Sequence, residues 1–157
     1  MGDVHAMLEQ WFAVLFAGGL AWVLLWFAVS FAYRKYRNKP VFAEKPPNAA
    51  FVETWTSGHS NRNLLTKVGG ARNCLLVALT RESLIVHPHF PFSLLFLPEI
   101  YDLDYVIPRK DIQSVSPKKG LFGRTVEVIF RSPRGDTRSI ELRLRQSQKF
   151  LEAVEPV

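Results

Sequence analysis

Residues 11–33, WFAVLFAGGLAWVLLWFAVSFAY, form an apolar run without a single charged side chain. At ~1.5 Å of rise per helical residue the run would measure roughly 34 Å, which is enough to cross a hydrocarbon core of ~30 Å. Trp11 at one end, and Tyr33 and Tyr36 at the other, are amphipathic rings of the kind that favour a membrane interface. The sequence therefore predicts one transmembrane helix over residues 11–33.

The charges on either side of this run predict its orientation. Residues 1–10 contain no Lys or Arg, whereas basic residues follow the run closely: Arg34, Lys35, Arg37 and Lys39. Because basic flanks favour the cytoplasm, we expect residues 1–10 to be an extracytoplasmic tail. A cleaved signal peptide is the alternative reading, but Asp3 and Glu9 replace its basic start, and its apolar region would be shorter, at ~7–15 residues.

The segment 34–50 is expected to be a basic stop followed by a tether. Pro40, Pro46 and Pro47 interrupt any helix here. In an extended, polyproline-like form, at ~3.1 Å per residue, Asn38–Ala50 would reach about 40 Å. The tether would allow the rest of the chain to dock on the headgroups without forcing it to do so.

Residues 47–157 have the composition of one mildly basic domain. They carry 15 of the 20 basic and 11 of the 14 acidic residues, which leaves a charge of +4. Such a charge suits an anionic membrane surface and falls short of a nucleic-acid-binding arm, so no nucleic-acid partner is expected. The single cysteine, Cys74, excludes an internal disulfide and fits a reducing cytoplasm.

From Phe51 onward, short apolar or alternating segments predict about seven β-strands. In the first, Phe51, Glu53 and Trp55 share one face, and Ser57-Gly58 ends the strand. The second is expected to be buried on both faces. The predicted strands are Phe51–Thr56, Asn73–Thr80, Ser83–His87, Leu94–Leu97, Tyr105–Ile107, Thr125–Arg131 and Thr137–Arg145.

The end of the chain gives the clearest signals. Two alternating strands are joined by Ser132–Asp136, where Pro133 and Gly135 favour a turn. A helix is predicted over Ser147–Val154, before Pro156. The apolar faces predicted to meet in the core are Val126, Val128 and Phe130; Ile140, Leu142 and Leu144; and Phe150, Leu151 and Val154.

Antiparallel strands closed by one C-terminal helix form the order of elements in the pleckstrin-homology-like superfold. The chain resembles bacterial pleckstrin-homology-like and GRAM-like domains over roughly residues 51–155. The resemblance rests on Gly69–Leu75 (GGARNCL), Leu84–Pro88 (LIVHP), Ile107-Pro108 before Asp111-Ile112, and the final hairpin and helix. It implies an α+β, mainly β, protein of the inner (plasma) membrane, with a barrel or sandwich of about seven strands and a short C-terminal helix over 51–157.

Common catalytic motifs are absent from the sequence: there is no phosphate-binding loop, H-E-x-x-H, G-x-S-x-G or C-x-x-C. His87 and His89 could begin a metal site, but Pro88 lies between them and no third ligand is near. Two pairs are available for acid–base chemistry or for solvation: His59 with Glu53, and Asp102 with Asp104. We therefore expect no enzyme activity, no cofactor and no metal.

The segment Ser116–Arg124, SPKKGLFGR, is predicted to be a basic loop and a candidate lipid-binding site. Basic side chains surround an apolar tip, a combination that can touch anionic headgroups and enter the interface. Alternatively, the apolar residues fold back onto the barrel. The candidate residues are Lys118, Lys119, Leu121, Phe122 and Arg124.

Two further apolar surfaces are candidates for a partner. The first, with Phe90, Phe92 and Phe96, would be exposed to a partner or the membrane, or would instead cover an open end of the barrel. The second is a face of small residues on the predicted transmembrane helix, which could pack against a partner helix or a second copy. Its residues recur every fourth position: Ala13, Ala17 and Ala21.

Together these features predict a non-enzymatic, membrane-anchored module. It would bind anionic lipid headgroups or scaffold a membrane protein partner at the cytoplasmic face. The alternative is an accessory subunit of a membrane enzyme or transporter, held through the transmembrane helix.

Overall fold

The computed structural model describes residues 2–42, 44–62, 66, 70–95, 102–120 and 123–154, with backbone alone for 2–10, 95, 119–120 and 123–124. The chain divides into two compact units, Met1–Val41 and Phe42–Val157. The first unit contains helix α1, Gly2–Tyr36, which extends the predicted helix at both ends. Within it, Trp11–Tyr36 is long and apolar enough to cross a membrane.

Helix α1 ends in a Schellman motif formed by the basic stop. Asn38 adopts a positive φ of 51°, which a short amide side chain tolerates. The N–H of Lys39 donates to the carbonyl of Arg34 (2.9 Å), and the N–H of Asn38 to that of Lys35 (3.2 Å). The Arg34 guanidinium also donates to the carbonyl of Pro40 (2.8 Å), so side chain and backbone together stop the helix.

In the second unit, the described residues form one antiparallel sheet of seven strands in the order β4-β3-β2-β1-β7-β6-β5. This confirms the predicted α+β, mainly β, layout, with the short helix α2 at the C-terminal end. The elements are β1 (Phe51–Ser60), β2 (Ala71–Leu79), β3 (Ser83–Pro88), β4 (Tyr105–Pro108), β5 (Ile112–Gly120), β6 (Gly123–Arg131), β7 (Thr137–Arg143) and α2 (Ser147–Val154).

The sheet is open but strongly curled, because its two edge strands are joined by a short connection. Strands β4 and β5 are separated only by a 3₁₀ turn, Arg109–Asp111. In a flat sheet the two edges would lie about 29 Å apart, at ~4.8 Å per strand. The four residue steps from Pro108 to Ile112 span at most ~14 Å. The sheet must therefore bend back toward closure.

Strand β1 is where the sheet turns. Its first part, from Phe51 to Gly58, pairs with β2, and Ser57–Ser60 pairs with β7. The prediction that Ser57-Gly58 ends the strand is thus wrong. Gly58 is required by close approach, since a Cβ there would lie 2.9 Å from the carbonyl oxygen of Glu141.

A β-bulge within β1 reverses which side chains face inward. Phe51 and Glu53 are buried, but Trp55 is exposed and Thr56 is buried. The register shifts between Thr54 and Thr56, where Trp55 adopts a positive φ of 60°. The prediction that Trp55 shares a face with Phe51 and Glu53 is therefore wrong, because the bulge moves the alternation by one residue.

The core lies on the concave side of the sheet. The alternating faces predicted for β6 and β7 are buried, as is β2 on both of its faces from Cys74 to Leu79. The helix α2 has the predicted bounds and inserts Phe150, whose ring packs edge-on against Phe51 at 5.2 Å between centroids.

Two local predictions are wrong. Phe92–Leu95 forms a 3₁₀ turn in place of the first half of the expected strand Leu94–Leu97, whose residues 96–97 lie outside the described chain. The expected loop Ser116–Arg124 is instead mostly strand, because β5 continues to Gly120. An edge strand has a neighbouring strand on one side only, so it can contain Pro117 and lysines without losing backbone hydrogen bonds to a second neighbour. For this reason its sequence is typical of a loop.

Candidate functional site

A cleft of about 1130 Å³ lies between β5 and α2. One wall is the start of β5, Ile112–Val115, and the other is the last turn of α2, Leu151–Val154. Apolar side chains on both walls, including Ile112, Val115 and Leu151, are half-buried and pack against the core. The cleft also touches residues from three connections: Ala50, Arg81, Arg109 and Lys110.

The β5 wall of this cleft has a free hydrogen-bonding side. Among the described residues, strand β5 is the last strand of the sheet and pairs with β6 alone. Within the described parts of the chain, the N–H and C=O groups that point away from β6 have no strand partner. An unpaired strand edge is a template for another extended chain.

The N-terminal end of α2 is fixed by a buried carboxylate from β1. Glu53 accepts hydrogen bonds from the backbone N–H of Arg145 (2.7 Å) and of Gln146 (3.0 Å), directly before the helix. Backbone donors at a helix start have no partner within the helix, so this carboxylate satisfies them. Glu53 thereby holds the α2 wall against the sheet.

The C-terminal end of α2 is fixed by an arginine from the turn before β5. The Nη2 atom of Arg109 donates to the carbonyl oxygens of Ala153 (2.7 Å) and Val154 (2.8 Å). Terminal carbonyls carry partial negative charge, which a guanidinium complements. Both walls of the cleft are therefore anchored, and its width is set by the fold.

The rim of the cleft is basic. Arg81 and Lys110 are exposed at the surface, while Arg109 is occupied by α2. Glu152 is the acidic side chain among the cleft-lining residues. This balance favours a ligand that carries negative charge.

The predicted lipid-binding residue Lys118 lies on β5 and is held in ion pairs. Its Nζ is 2.7 Å from Oε1 of Glu141 and 3.7 Å from Oε1 of Glu127. The hydrogen bond to Glu141 raises the pKa of Lys118. Burial alone would raise the pKa of Glu141, but the hydrogen bonds from Lys118 and Asn61 hold it below its usual value. The ammonium charge is therefore largely compensated in place.

The other residues of that candidate site are only partly described. Lys119 and Arg124 are register partners in β5 and β6, so they lie at the base of the hairpin turn. Leu121 and Phe122 lie outside the described residues. Contact of this apolar tip with a bilayer stays a prediction.

The predicted apolar loop is split between the surface and the core. Phe90 is exposed, and its ring lies 5.4 Å from that of Phe42. Phe92 is half-buried and packs against the core. Phe96 lies outside the part of the chain that the structure describes. Phe90 therefore lies at the surface in contact with Phe42, whereas Phe92 packs against the core.

The small residues of α1 share one helical face. Ala13, Ala17 and Ala21 are spaced by four positions in a continuous helix, so they lie above one another. A Cβ added at Gly18 or Gly19 would meet nothing within 4 Å. A neighbouring helix could therefore approach this stretch closely.

The acidic and histidine side chains pair differently from the sequence-based suggestion. His87 Nδ1 lies 2.9 Å from Oδ1 of Asp104, and both side chains are largely buried. His59 lies 3.6 Å from Glu141 and not beside Glu53. Asp102 accepts hydrogen bonds from the Tyr105 hydroxyl and, at 3.2 Å, from Arg138. The suggested pairs His59 with Glu53 and Asp102 with Asp104 do not form.

His89 and Cys74 have surroundings that disfavour chemistry. The ring of His89 stacks on Trp55 at 4.8 Å between centroids, and burial, then the charges of His87 and Lys45, lower its pKa. Burial raises the pKa of the Cys74 thiol, which makes it a poor nucleophile. Among the described residues, no group of three or more His, Cys, Asp or Glu side chains could hold a metal ion.

Sequence reasoning missed the cleft, because its parts are distant along the chain. Arg81 lies in the β2–β3 turn, Lys110 before β5, and Leu151 in α2. The sequence feature that could have indicated one wall of the cleft is Lys110-Asp111-Ile112 after Pro108, where a turn leads directly into an edge strand. No protein-family model matches the chain, and neither do any of the curated proteins compared with it.

Proposed function

We propose that the chain is a single-pass inner-membrane protein whose pleckstrin-homology-like domain binds a partner protein at the cytoplasmic face and catalyses no reaction. The anchor is supported by α1, which is long and apolar enough to cross a membrane. The domain type is supported by seven antiparallel strands followed by α2. The basic residues after residue 33 favour an N-terminus outside and a domain inside.

The observation that carries this proposal is the unpaired side of β5 in the cleft. An extended partner segment would supply the missing backbone hydrogen bonds along Ile112–Val115. Its alternate side chains would rest on the half-buried apolar residues of both walls. Arg81 and Lys110 on the rim favour an acidic segment.

Lipid headgroups are a weaker candidate for the main ligand. Of the basic residues first assigned to lipid, Lys118 has a described side chain, and that side chain is paired with Glu141 and Glu127. Releasing it to a headgroup would leave Glu141 without its closest cation. A partner protein at the cleft requires no such exchange.

A peptide selection on the full chain in nanodiscs of neutral lipid tests the proposal. Short random peptides are selected for binding, and we expect acidic sequences whose affinity is lost when alternate backbone nitrogens are methylated. Reversing the rim charges with R81E/K110E should weaken binding roughly three- to ten-fold, as for exposed charge pairs.

The matched control is R131E/R134E, which changes the net charge equally at exposed residues of β6 and of the β6–β7 turn. Its affinity for the selected peptides should equal that of the wild type. A failure to select any peptide, or equal weakening by both double variants, contradicts binding at the cleft.

A second candidate role, as an accessory subunit held by α1, is favoured by the uncovered small-residue face. Replacing Ala13, Ala17 and Ala21 together with Leu would prevent close helix approach. We expect this variant to lose proteins that co-purify in mild detergent, whereas R81E/K110E keeps them. Unchanged co-purification in the leucine variant excludes this role for the face.

A further inference from the structure

Exposed aromatic side chains of the second unit are concentrated in one place. Among its described residues, four large apolar side chains are exposed: Phe42 (61%), Trp55 (49%), Phe90 (49%) and Val106 (69%). Three of the four come from separate segments, namely the tether, β1 and the connection after β3. Their common location therefore needs a structural explanation.

Ring contacts join these three side chains into one surface. Phe42 packs on Phe90 at 5.4 Å between ring centroids, and Trp55 stacks on His89 at 4.8 Å. His89 and Phe90 are neighbours in the chain. We call Phe42, Trp55, His89 and Phe90 the aromatic patch.

The backbone of β1 holds the tryptophan of this patch outward. Trp55 has a φ of 60°, a conformation that is unfavourable for a bulky side chain. Without the bulge, the alternation of β1 would turn the ring to the side of Phe51 and Glu53, which are buried. The fold thus keeps a large ring at the surface where burial would be the usual outcome.

The chain segment between α1 and the patch is short and basic. Phe42 follows Tyr36, the last residue of α1, by six positions, a length of at most ~22 Å when fully extended. Residues 34–45 contain five basic residues against one acidic residue, Glu44. A basic segment beside exposed Trp and Phe rings is the composition that favours the interface of an anionic bilayer.

We propose that the aromatic patch inserts into the headgroup layer of the bilayer that α1 crosses, so that the domain lies on the membrane in one orientation. This rests on the proposed membrane anchor. The occupant is phospholipid, at the level where amphipathic rings are most stable. It is a different surface from the basic hairpin at Lys118, whose charge is compensated by Glu141.

Such docking would direct the cleft away from the bilayer. Arg81 of the cleft precedes β3, and His89 of the patch follows it, so the six residues of β3 separate them by about 20 Å. With the patch in the headgroups, the Arg81 end of the cleft faces the aqueous side, where a partner segment can reach it.

Two tryptophan reporters of the full chain in vesicles test the docking. The patch reporter, W11F/W22F/W26F, retains Trp55 alone, and the span reporter, W55F, retains the three tryptophans of α1. Vesicles contain phospholipid brominated either near the carbonyl groups or deep in the acyl chain. We expect shallow bromines to reduce patch-reporter emission at least about two-fold, and deep bromines to quench the span reporter most.

Matched substitutions identify the surface responsible. Adding F42S/F90S to the patch reporter should remove most of its quenching, whereas adding V106S, at a more exposed apolar residue of β4, should leave it unchanged. Equal loss in both variants contradicts docking through the patch.

The two reporters separate failure of the docking from failure of the anchor. A quenched span reporter with an unquenched, solvent-exposed Trp55 overturns the docking and leaves the anchor standing, with the patch then free for a protein or a second copy. An unquenched span reporter overturns the anchor, and the docking with it.

Discussion

The ammonium group of Lys118 in β5 lies 2.7 Å from the carboxylate of Glu141 in β7, across the intervening strand β6. The same ammonium lies 3.7 Å from Glu127 on β6, so two acidic residues face one cation on this side of the sheet. A lysine that the sequence assigns to lipid headgroups thus has partners within its own fold. Lys118 is therefore less available for anionic lipid than the composition of the hairpin indicates.

Lys118→Ala should reduce stability slightly and leave binding to anionic vesicles unchanged. Since the Lys118 side chain is 47% exposed, solvent screening limits its pair with Glu141 to about 0.2–1 kcal/mol. A double-mutant cycle with Glu141→Ala, followed by urea unfolding of the detergent-solubilised chain, measures this coupling. Lys149→Ala, exposed on α2, is the charge-matched control for vesicle binding. A larger loss of vesicle affinity for Lys118→Ala than for this control would restore the hairpin as a lipid site.

The same pair should show a defined pH window. Glu141 has a pKa below its usual value of 4.5, so its contribution is complete above that value and is lost as pH falls through the folded-state pKa. Lys118 has a pKa above its usual 10.5, so its contribution is lost as pH rises through the folded-state pKa. The coupling measured by the cycle should therefore be constant between about pH 5 and 10, and should be lost only at a pH below the lowered pKa of Glu141 or above the raised pKa of Lys118. A coupling that peaks outside that range would contradict the pairing.

Gly58→Ala should destabilise the domain by about 1–3 kcal/mol, as overpacking does. The new methyl group would lie 2.9 Å from the carbonyl oxygen of Glu141 and 3.1 Å from Cδ1 of Leu75. Gly19→Ala is the control, because nothing lies within 4 Å of a Cβ at Gly19 and its φ is not positive. The control should stay within about 0.5 kcal/mol of the wild type in urea unfolding. Equal stability of the two variants would contradict the close approach of the β1 and β7 backbones at Gly58.

Glu53→Ala should release α2 and open the cleft. The buried carboxylate accepts the backbone N–H groups of Arg145 and Gln146, so its removal leaves two donors unsatisfied, at about 1–3 kcal/mol. Glu53→Gln retains one carbonyl acceptor and should lose less. Hydrogen exchange in α2 should increase more in Glu53→Ala than in Glu53→Gln, and the affinity for the selected peptides should decrease more in Glu53→Ala than in Glu53→Gln. Peptide binding that survives Glu53→Ala would show that α2 is not a wall of the site.

Tyr105 should ionise far above an ordinary tyrosine. Burial, and then the hydrogen bond that its hydroxyl donates to Asp102, raise the pKa of Tyr105 to about 12. Its contribution to stability is complete below pH 10 and is lost as pH rises through 12. The phenolate absorbance of the wild type minus that of Tyr105→Phe should therefore titrate at about pH 12. A difference titrating near 10 would contradict the buried pair.

Elements governed by local pattern were predictable from the sequence. The period-two faces of Val126–Phe130 and Ile140–Leu144 gave β6, β7 and their inward sides, because alternation alone specifies a half-buried strand. The helix Ser147–Val154 was predicted with its observed bounds, because the spacing of its apolar residues and the following Pro156 are local sequence signals.

Features that depend on distant contacts were not predictable. The bulge at Trp55 lies just before β1 begins to pair with β7 at Ser57, and no local pattern indicates where that second pairing starts. Likewise, Pro117 and the lysines of β5 are typical of a loop, and only the fold shows that this segment is an edge strand. The cleft was missed for the same reason, since Arg81 and Leu151 are distant in the chain and line one cleft only in the folded domain.

Site-specific photocrosslinking in native membranes tests the central claim, that a partner segment pairs with β5, most directly. A photoreactive residue replaces Ser114, which is exposed in the cleft wall, or Arg134 in the β6–β7 turn as the control. We predict that Ser114 crosslinks to one acidic segment of one protein, that R81E/K110E removes this product and that R131E/R134E retains it. Products that are the same at Ser114 and Arg134, or that persist in R81E/K110E, would contradict the account.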